Sequence, residues 1–215
     1  MRWPQVKSND TPATESRTRI IVVGASSKKA GKSTVAARLV GDLGAEYGLK
    51  VSSGGSHTGA PVITDPQLIS TPGTDTGALI GAGAKKVIWV NASKPELAAE
   101  LDRALSMFPP GGLLVIEGNS ALTHIKPDFT VFVMGVPFED FKPSASSALE
   151  KADLVLVDRT GALMQMDRAA LEKRIHARAS KAIVMFFDYD SENFSDVLAE
   201  TVRLAGERLG LGLQT

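Results

Sequence analysis

Short apolar runs alternate with longer amphipathic stretches along most of the chain. Strands are expected on such runs at residues 19–23, 86–90, 113–116, 129–134, 154–157 and 182–187, and a further short one at residues 50–53. Most are continuously apolar rather than alternating, as suits strands covered on both faces of a parallel sheet. Between them the spacing changes to that of helices. From about Gly31, residues Val35, Leu39, Val40 and Leu43 recur at helical intervals, with Gly48 as the expected stop. Residues 75–84 read as a short helix with Asp75 at its start. Ser93-Lys94-Pro95-Glu96 supplies a cap, a first-turn proline and an acid three residues on. Leu97, Leu101, Leu105 and Phe108 then mark one buried face, and Pro109-Pro110-Gly111-Gly112 ends it. Further helices are expected near 143–151, 165–179 and 195–209. Strands alternating with helices predict an α/β fold of three layers, a mostly parallel sheet flanked by helices and joined by right-handed crossovers. Residues 54–74 are rich in Gly, Pro, Ser and Thr, which is loop chemistry, with room for a short hairpin around residues 61–68. Residues 1–17 read as a flexible polar tail and 18–215 as a single domain.

The stretch IIVVGASSKKAGKSTVAARLV at residues 20–40 changes this outline into a chemical expectation. Apolar strand, short loop, Gly31-Lys32-Ser33-Thr34 and helix form the context of a phosphate-binding loop, and hence of a P-loop NTPase fold. Glycine lets backbone N–H groups turn inward around an anion, and the helix points its positive end at the same place. Lys32 would reach the β- and γ-phosphates, and the Ser33 hydroxyl would ligate Mg²⁺. The usual spacing, GxxxxGK[ST], puts its first glycine where this chain has Ser26; the nearest glycine is Gly24. The loop is therefore either two residues longer than standard or accepts Ser at its first corner. Gly24, Ser27, Lys29, Ala30, Gly31, Lys32, Ser33 and Thr34 are the expected nucleotide contacts. Lys28 and Lys29 could add charge against phosphate. The second lysine of deviant Walker loops would fall at Ser27, so that device is missing.

Composition narrows the setting. The chain has 215 residues, 43% hydrophobic and 22% charged, as in globular proteins. With 24 basic and 24 acidic residues the net charge is zero, which argues against bulk electrostatic capture of nucleic acid or membrane. There is no cysteine, which removes disulfides, thiolate nucleophiles and Cys-ligated metals. No apolar run approaches the roughly 20 residues of a membrane span, and the N-terminus lacks an apolar signal core. A cytoplasmic location is expected.

Phosphoryl chemistry with Mg²⁺ needs a carboxylate besides Ser33. Glu117, directly after the apolar run LLVI, is the first candidate, and the following Gly118 would allow close approach of backbone to phosphate or to the loop. Asp75 is the second, with a plain helix cap as the alternative. Asp65, in the long loop, is a weaker one. Gly24 to Ser33, Asn91, Glu117 and Asp158 all follow strands and should share one rim of the sheet. Asp158, in VDRTG, could pair with a guanine edge or simply bond neighbouring backbone. The histidines His57, His124 and His176 carry no metal-site spacing.

Taken in order, VVGASSKKAGKST, the loop carrying His57, TPGTDTGALIGAGAKKVIWV and LLVIEGNS resemble the molybdopterin-guanine dinucleotide biosynthesis adaptor protein (MobB) family. These are P-loop GTP-binding proteins of the class that includes dethiobiotin synthetase and the metallochaperone GTPases for urease and hydrogenase. The resemblance covers about residues 19–120. It implies GTP or ATP with Mg²⁺, slow hydrolysis, a cytoplasmic homodimer and a partner protein in molybdenum cofactor synthesis. By position it places Lys32, Ser33 and Thr34 on phosphate and metal, and Asp75 and Glu117 around the metal and the attacking water. The chain departs from the family at Ser26, at Lys28-Lys29 and at SSGGSH, where the family shows a Lys-His pair. Two alternatives stand beside this one. The first is an ATP-dependent small-molecule kinase or ligase of the dethiobiotin synthetase type, with an acceptor on the 54–74 loop near Lys142 or His57. The second is a non-enzymatic nucleotide-binding partner protein.

Overall fold

A computed structural model describes residues 17–53, 59–189 and 193–212. Residues 1–16 of the expected tail, and His57, lie outside the described residues; Arg17 pairs with Asp128. The chain runs β1 (Arg19–Ala25), α1 (Lys32–Leu43), β2 (Tyr47–Ser53), β3 (Val62–Ile63), α2 (Pro66–Ile69), α3 (Asp75–Gly81), β4 (Lys86–Ala92), α4 (Leu97–Ser106), β5 (Leu113–Glu117), β6 (Phe129–Met134), α5 (Pro143–Leu149), β7 (Leu154–Asp158), α6 (Arg168–His176), β8 (Ile183–Phe187) and α7 (Asn193–Arg208). The sheet has eight strands in the order β3-β4-β2-β5-β1-β6-β7-β8. All pairings are parallel except that of β3 with β4. The seven expected strands are present, and the eighth is the two-residue β3 inside the stretch read as a loop.

The continuous apolar runs are explained by burial on both faces. In β1, Val22 packs into one core with Leu101 of α4, Leu149 of α5 and Leu171 of α6. Its neighbours Ile21 and Val23 pack into the other, with Leu39 of α1, Leu79 of α3 and Val202 of α7. Each strand thus serves two helical layers, and an alternating polar pattern would leave one of them dry of contacts.

Gly48 does not stop α1. The helix ends at Gly44, which takes the left-handed conformation (φ 63°), and Ala45 N–H bonds back to Val40. Gly48 lies inside β2 for a packing reason. A Cβ there would sit 3.1 Å from both Leu79 Cδ1 and Val87 Cγ2. The consequence for the site is that β2 begins three residues earlier than expected and carries Lys50 in its middle.

Candidate nucleotide site on the sheet rim

The question of loop length is settled by β1. The strand continues through Gly24 to Ala25, so the loop is residues 26–31, of standard length with Ser at its first corner. Ser26 is buried. Its N–H bonds Val133 O and its hydroxyl oxygen accepts from Gly135 N–H at 2.9 Å, work that a glycine could only half perform. Gly24 is therefore not a loop corner. A Cβ there would meet Asn119 Oδ1 at 2.7 Å. Asn119 uses that clearance to clamp Ala25, accepting from its N–H and donating to its C=O, both at 2.8 Å.

Beyond Ser26 the loop holds Lys28 and Lys29 outward, with Lys29 in the left-handed region (φ 64°). Gly31 (φ 93°) caps α1, and among the described residues no side-chain cap bonds the first-turn N–H groups. Those donors and the helix dipole remain available to an anion. Tyr189, after β8, lies directly against Gly31: a Cβ there would be 1.5 Å from its hydroxyl oxygen. Ala30 is buried beneath the loop.

Four charged side chains meet behind this loop. Lys32 opens α1 and Asp75 opens α3. Lys50 and Glu117 are partners in the parallel register of β2 with β5. Glu117 is fully buried. Lys50 Nζ donates to Glu117 Oε1 at 2.9 Å and pairs with Asp75 as well. Lys32 Nζ stands 3.9 Å from the same Glu117 oxygen. The Ser33 hydroxyl donates to Asp75 Oδ1 at 2.5 Å. Glu117 Oε2 has no hydrogen-bond partner among the described residues. Two ammonium groups and two carboxylates make the cluster formally neutral.

The ionisation behaviour follows from this packing. Burial lowers the Lys32 pKa, resisted by Glu117. Burial works the same way on Lys50, but Glu117 and Asp75 outweigh it and raise its pKa. For Asp75, burial is outweighed by hydrogen bonds from Lys50 and Ser33, and its pKa is lowered.

Two cavities open on the cluster beside the loop, and a third, of about 330 Å³, is lined by Lys50, Asp75, Leu68 and Trp89. Of the two beside the loop, one, of about 570 Å³, is bounded by Lys28, Lys29, residues 31–34, Lys50, Asp75 and Tyr189. That is within the size range of small-ligand sites. The other, of about 310 Å³, also reaches Lys28, Lys32 and Lys50, and is lined by Ser27, Ser53, Asn119, Ser120, Lys142 and Ser144. The Ser53 and Ser120 hydroxyls bond each other there at 2.7 Å.

The expected residues are thus partly assembled. Lys32, Ser33, Asp75 and Glu117 come together, with Lys29 and Thr34 on the larger cavity and Ser27 on the smaller. Asp75 is not the helix cap. Thr74 is, accepting from Gly77 N–H at 3.0 Å, which frees the Asp75 carboxylate for the cluster. Asp65 caps α2 instead. Gly118 (φ 144°) does permit a close approach, but to β2: a Cβ would lie 2.3 Å from Val51 O. Asp158 does not line the larger cavity. Its Oδ1 accepts from the N–H and hydroxyl of Thr160, a local turn at the end of β7, and it stands near Tyr189, whose pKa is raised by burial and by this carboxylate. Asn91 lies within β4 and accepts from Ser52. His124 is exposed, and His176, also exposed, contacts Ala182 O. Lys50 is the one member of the cluster that no motif marks; its signal is a lone lysine between the buried Leu49 and Val51.

No known protein family's sequence profile matches this chain, and no curated protein matches it in sequence. Solved structures do. HypB from Helicobacter pylori, in complex with nickel, superposes with a TM-score of 0.51 at 13% identity, over 87% of this chain and 88% of that one. The chain has the P-loop NTPase fold. The hydrogenase maturation factor HypB from Archaeoglobus fulgidus gives 0.49 at 14% identity, over 87% and 90% of the two chains. The MinC:MinD cell division complex of Aquifex aeolicus gives 0.45 at 14% identity, over 92% and 98%. At these identities the likeness concerns the fold alone. No helix among the described residues is long and apolar enough to cross a membrane.

Proposed function

We propose that this protein binds a nucleoside triphosphate, GTP or ATP, with Mg²⁺ on the 26–34 loop and hydrolyses it slowly. The observation that carries the reading is the meeting of Lys32, Ser33, Asp75 and buried Glu117 behind the loop, the first three of them lining one cavity at the N-terminus of α1. The donor set fits a hard divalent cation: a hydroxyl, a carboxylate bonded to it, and a buried carboxylate oxygen, Glu117 Oε2, with no other partner among the described residues. Two acids and a hydroxyl are too few alone, and phosphate oxygens would complete the shell. When bound, the ion neutralises phosphate charge and polarises the transferred group.

The chain's own residues have separable tasks. The first-turn N–H groups of α1 hold phosphate oxygens, and Lys32 faces the β- and γ-groups. Ser33 and Asp75 orient the metal side. Glu117 Oε2 accepts a hydrogen bond from the attacking water and takes its proton as the water oxygen forms the new P–O bond and the β–γ bridging oxygen leaves with the bonding electrons. The adaptor role, in molybdopterin-guanine dinucleotide synthesis as a cytoplasmic homodimer with a partner protein, rests on the resemblance over residues 19–120. In this reading Asp158 selects guanine once its bonds to Thr160 open.

Thermal shift with ATP, GTP and their diphosphates, each with Mg²⁺, tests the core claim, because a ligand that binds the native state raises the melting temperature. Wild type should be stabilised by one triphosphate, and Lys32→Ala should lose that shift. Equal shifts in both proteins would sink the reading. Asp158→Asn should narrow any GTP-over-ATP preference; an unchanged preference removes Asp158 from the site. The smaller cavity favours a second reading, a small-molecule kinase or ligase, because it also reaches Lys32 and Lys50 and adds Lys142, Ser53 and Ser120 to them. That reading requires triphosphate consumption to depend on an added acceptor.

A further inference from the structure

Lys50 holds the place that a divalent cation would need. Its Nζ contacts both Asp75 and Glu117, while the Ser33 hydroxyl spends its proton on Asp75. Of the four carboxylate oxygens in the cluster, only Glu117 Oε2 is without a partner among the described residues. The lysine is not there by chance of an exposed rotamer. It is anchored on β2 in register with Glu117, and only 16% of its side chain is exposed. A unit charge and a double charge sharing these carboxylates would repel strongly at such separations. Among the described residues, no group of three or more acids and histidines offers an ion another protein-only site.

We propose that Lys50 is a built-in counter-cation that keeps the nucleotide-free site closed to divalent metal, and that it must leave Asp75 and Glu117 before the metal enters. The biological sense of this rests on the nucleotide reading above. Metal then comes in only with the triphosphate, whose negative charge gives the Lys50 ammonium a new partner. The lysine has somewhere to go. It lines both cavities beside the loop, and its four-carbon stem can swing while the strand stays fixed. The empty site remains electrically neutral, and an uptake order is imposed: ion and triphosphate together, not ion first.

The test is a Mn²⁺ titration without nucleotide, read by loss of the free-ion paramagnetic resonance signal, on wild type, Lys50→Met and Lys50→Arg. Lys50→Gln is the second neutral variant should Lys50→Met not fold. The neutral variant should bind Mn²⁺ at least about tenfold more tightly than wild type, since a cation next to the ion has been removed. Lys50→Arg should behave like wild type, and adding Asp75→Asn to the neutral variant should abolish the gain. No gain in the neutral variant overturns the proposal, as does a gain that survives Asp75→Asn. Tight Mn²⁺ binding by wild type alone also overturns it. The thermal shift of wild type with Mg²⁺ and triphosphate, run on the same samples, separates this outcome from a failure of the nucleotide reading, which would remove that shift and leave the Mn²⁺ result readable.

Discussion

Lys29 shows how one residue can carry a cost for its loop. It is the only non-glycine residue with positive φ among those described, and the left-handed conformation costs an L-residue about 1 kcal/mol. Lys29→Gly should therefore raise stability by about 1 kcal/mol, less the entropy that glycine adds to the unfolded chain, measured by urea unfolding. A loss would mean that the Lys29 side chain contributes more than its backbone costs. Gly118 is the reverse case. With φ at 144° and Val51 O 2.3 Å from any added Cβ, Gly118→Ala should cost about 3 kcal/mol or more, and should weaken the nucleotide shift by moving Glu117. An alanine variant as stable as wild type would show that β2 and β5 can part there cheaply. At this scale the sequence was legible where a motif has fixed spacing, at Gly31, Lys32 and Ser33. It was not legible at Lys50, whose meaning depends on a residue 67 positions away.

At the scale of elements, α3 is the piece that brings Asp75 to the loop, and its start is set by Thr74. Removing that cap with Thr74→Ala should cost about 1 kcal/mol. It should also reduce the nucleotide-induced shift, because Asp75 is the next residue, whereas Thr74→Ser should preserve both. If the cap variant lost stability but kept the full shift, Asp75 would be held by Lys50 and Ser33 rather than by the helix. Elements were legible from periodicity wherever they were long. The boundaries failed where two glycines compete: Gly44 and Gly48 look alike in sequence, and only the crowding of Leu79 and Val87 against Gly48 assigns it to a strand. The hairpin expected around residues 61–68 does not form: only the two-residue β3 is a strand, through its pairing with Val90 and Trp89 of β4, and α2 follows it.

Across the molecule, charge pairing ties α1, α3, β2 and β5 together, and pH should report on it. Asp75 has a native pKa below its ordinary value of about 3.9. Its ionised form therefore adds stability that is complete above that value and is lost as pH falls through the lowered native one. The stability gap between wild type and Asp75→Asn should stay level from neutral pH to about 5 and close below about 4, and high salt should shrink it because Asp75 is partly exposed. A gap unchanged down to pH 3 would show that the pairing adds nothing. Residue order alone specified the alternating α/β layers and the phosphate loop, because periodicity and a short motif are local properties. The choice of Ser26 over Gly24 as the loop corner needed Val133 of β6 and Gly135 just after it, which are the partners of Ser26. The meeting of Lys50 with Glu117 and Asp75 needed the strand order β2-β5-β1, which no local pattern encodes. Pairing across a sheet depends on which strands become neighbours, and that is decided by the packing of the whole chain.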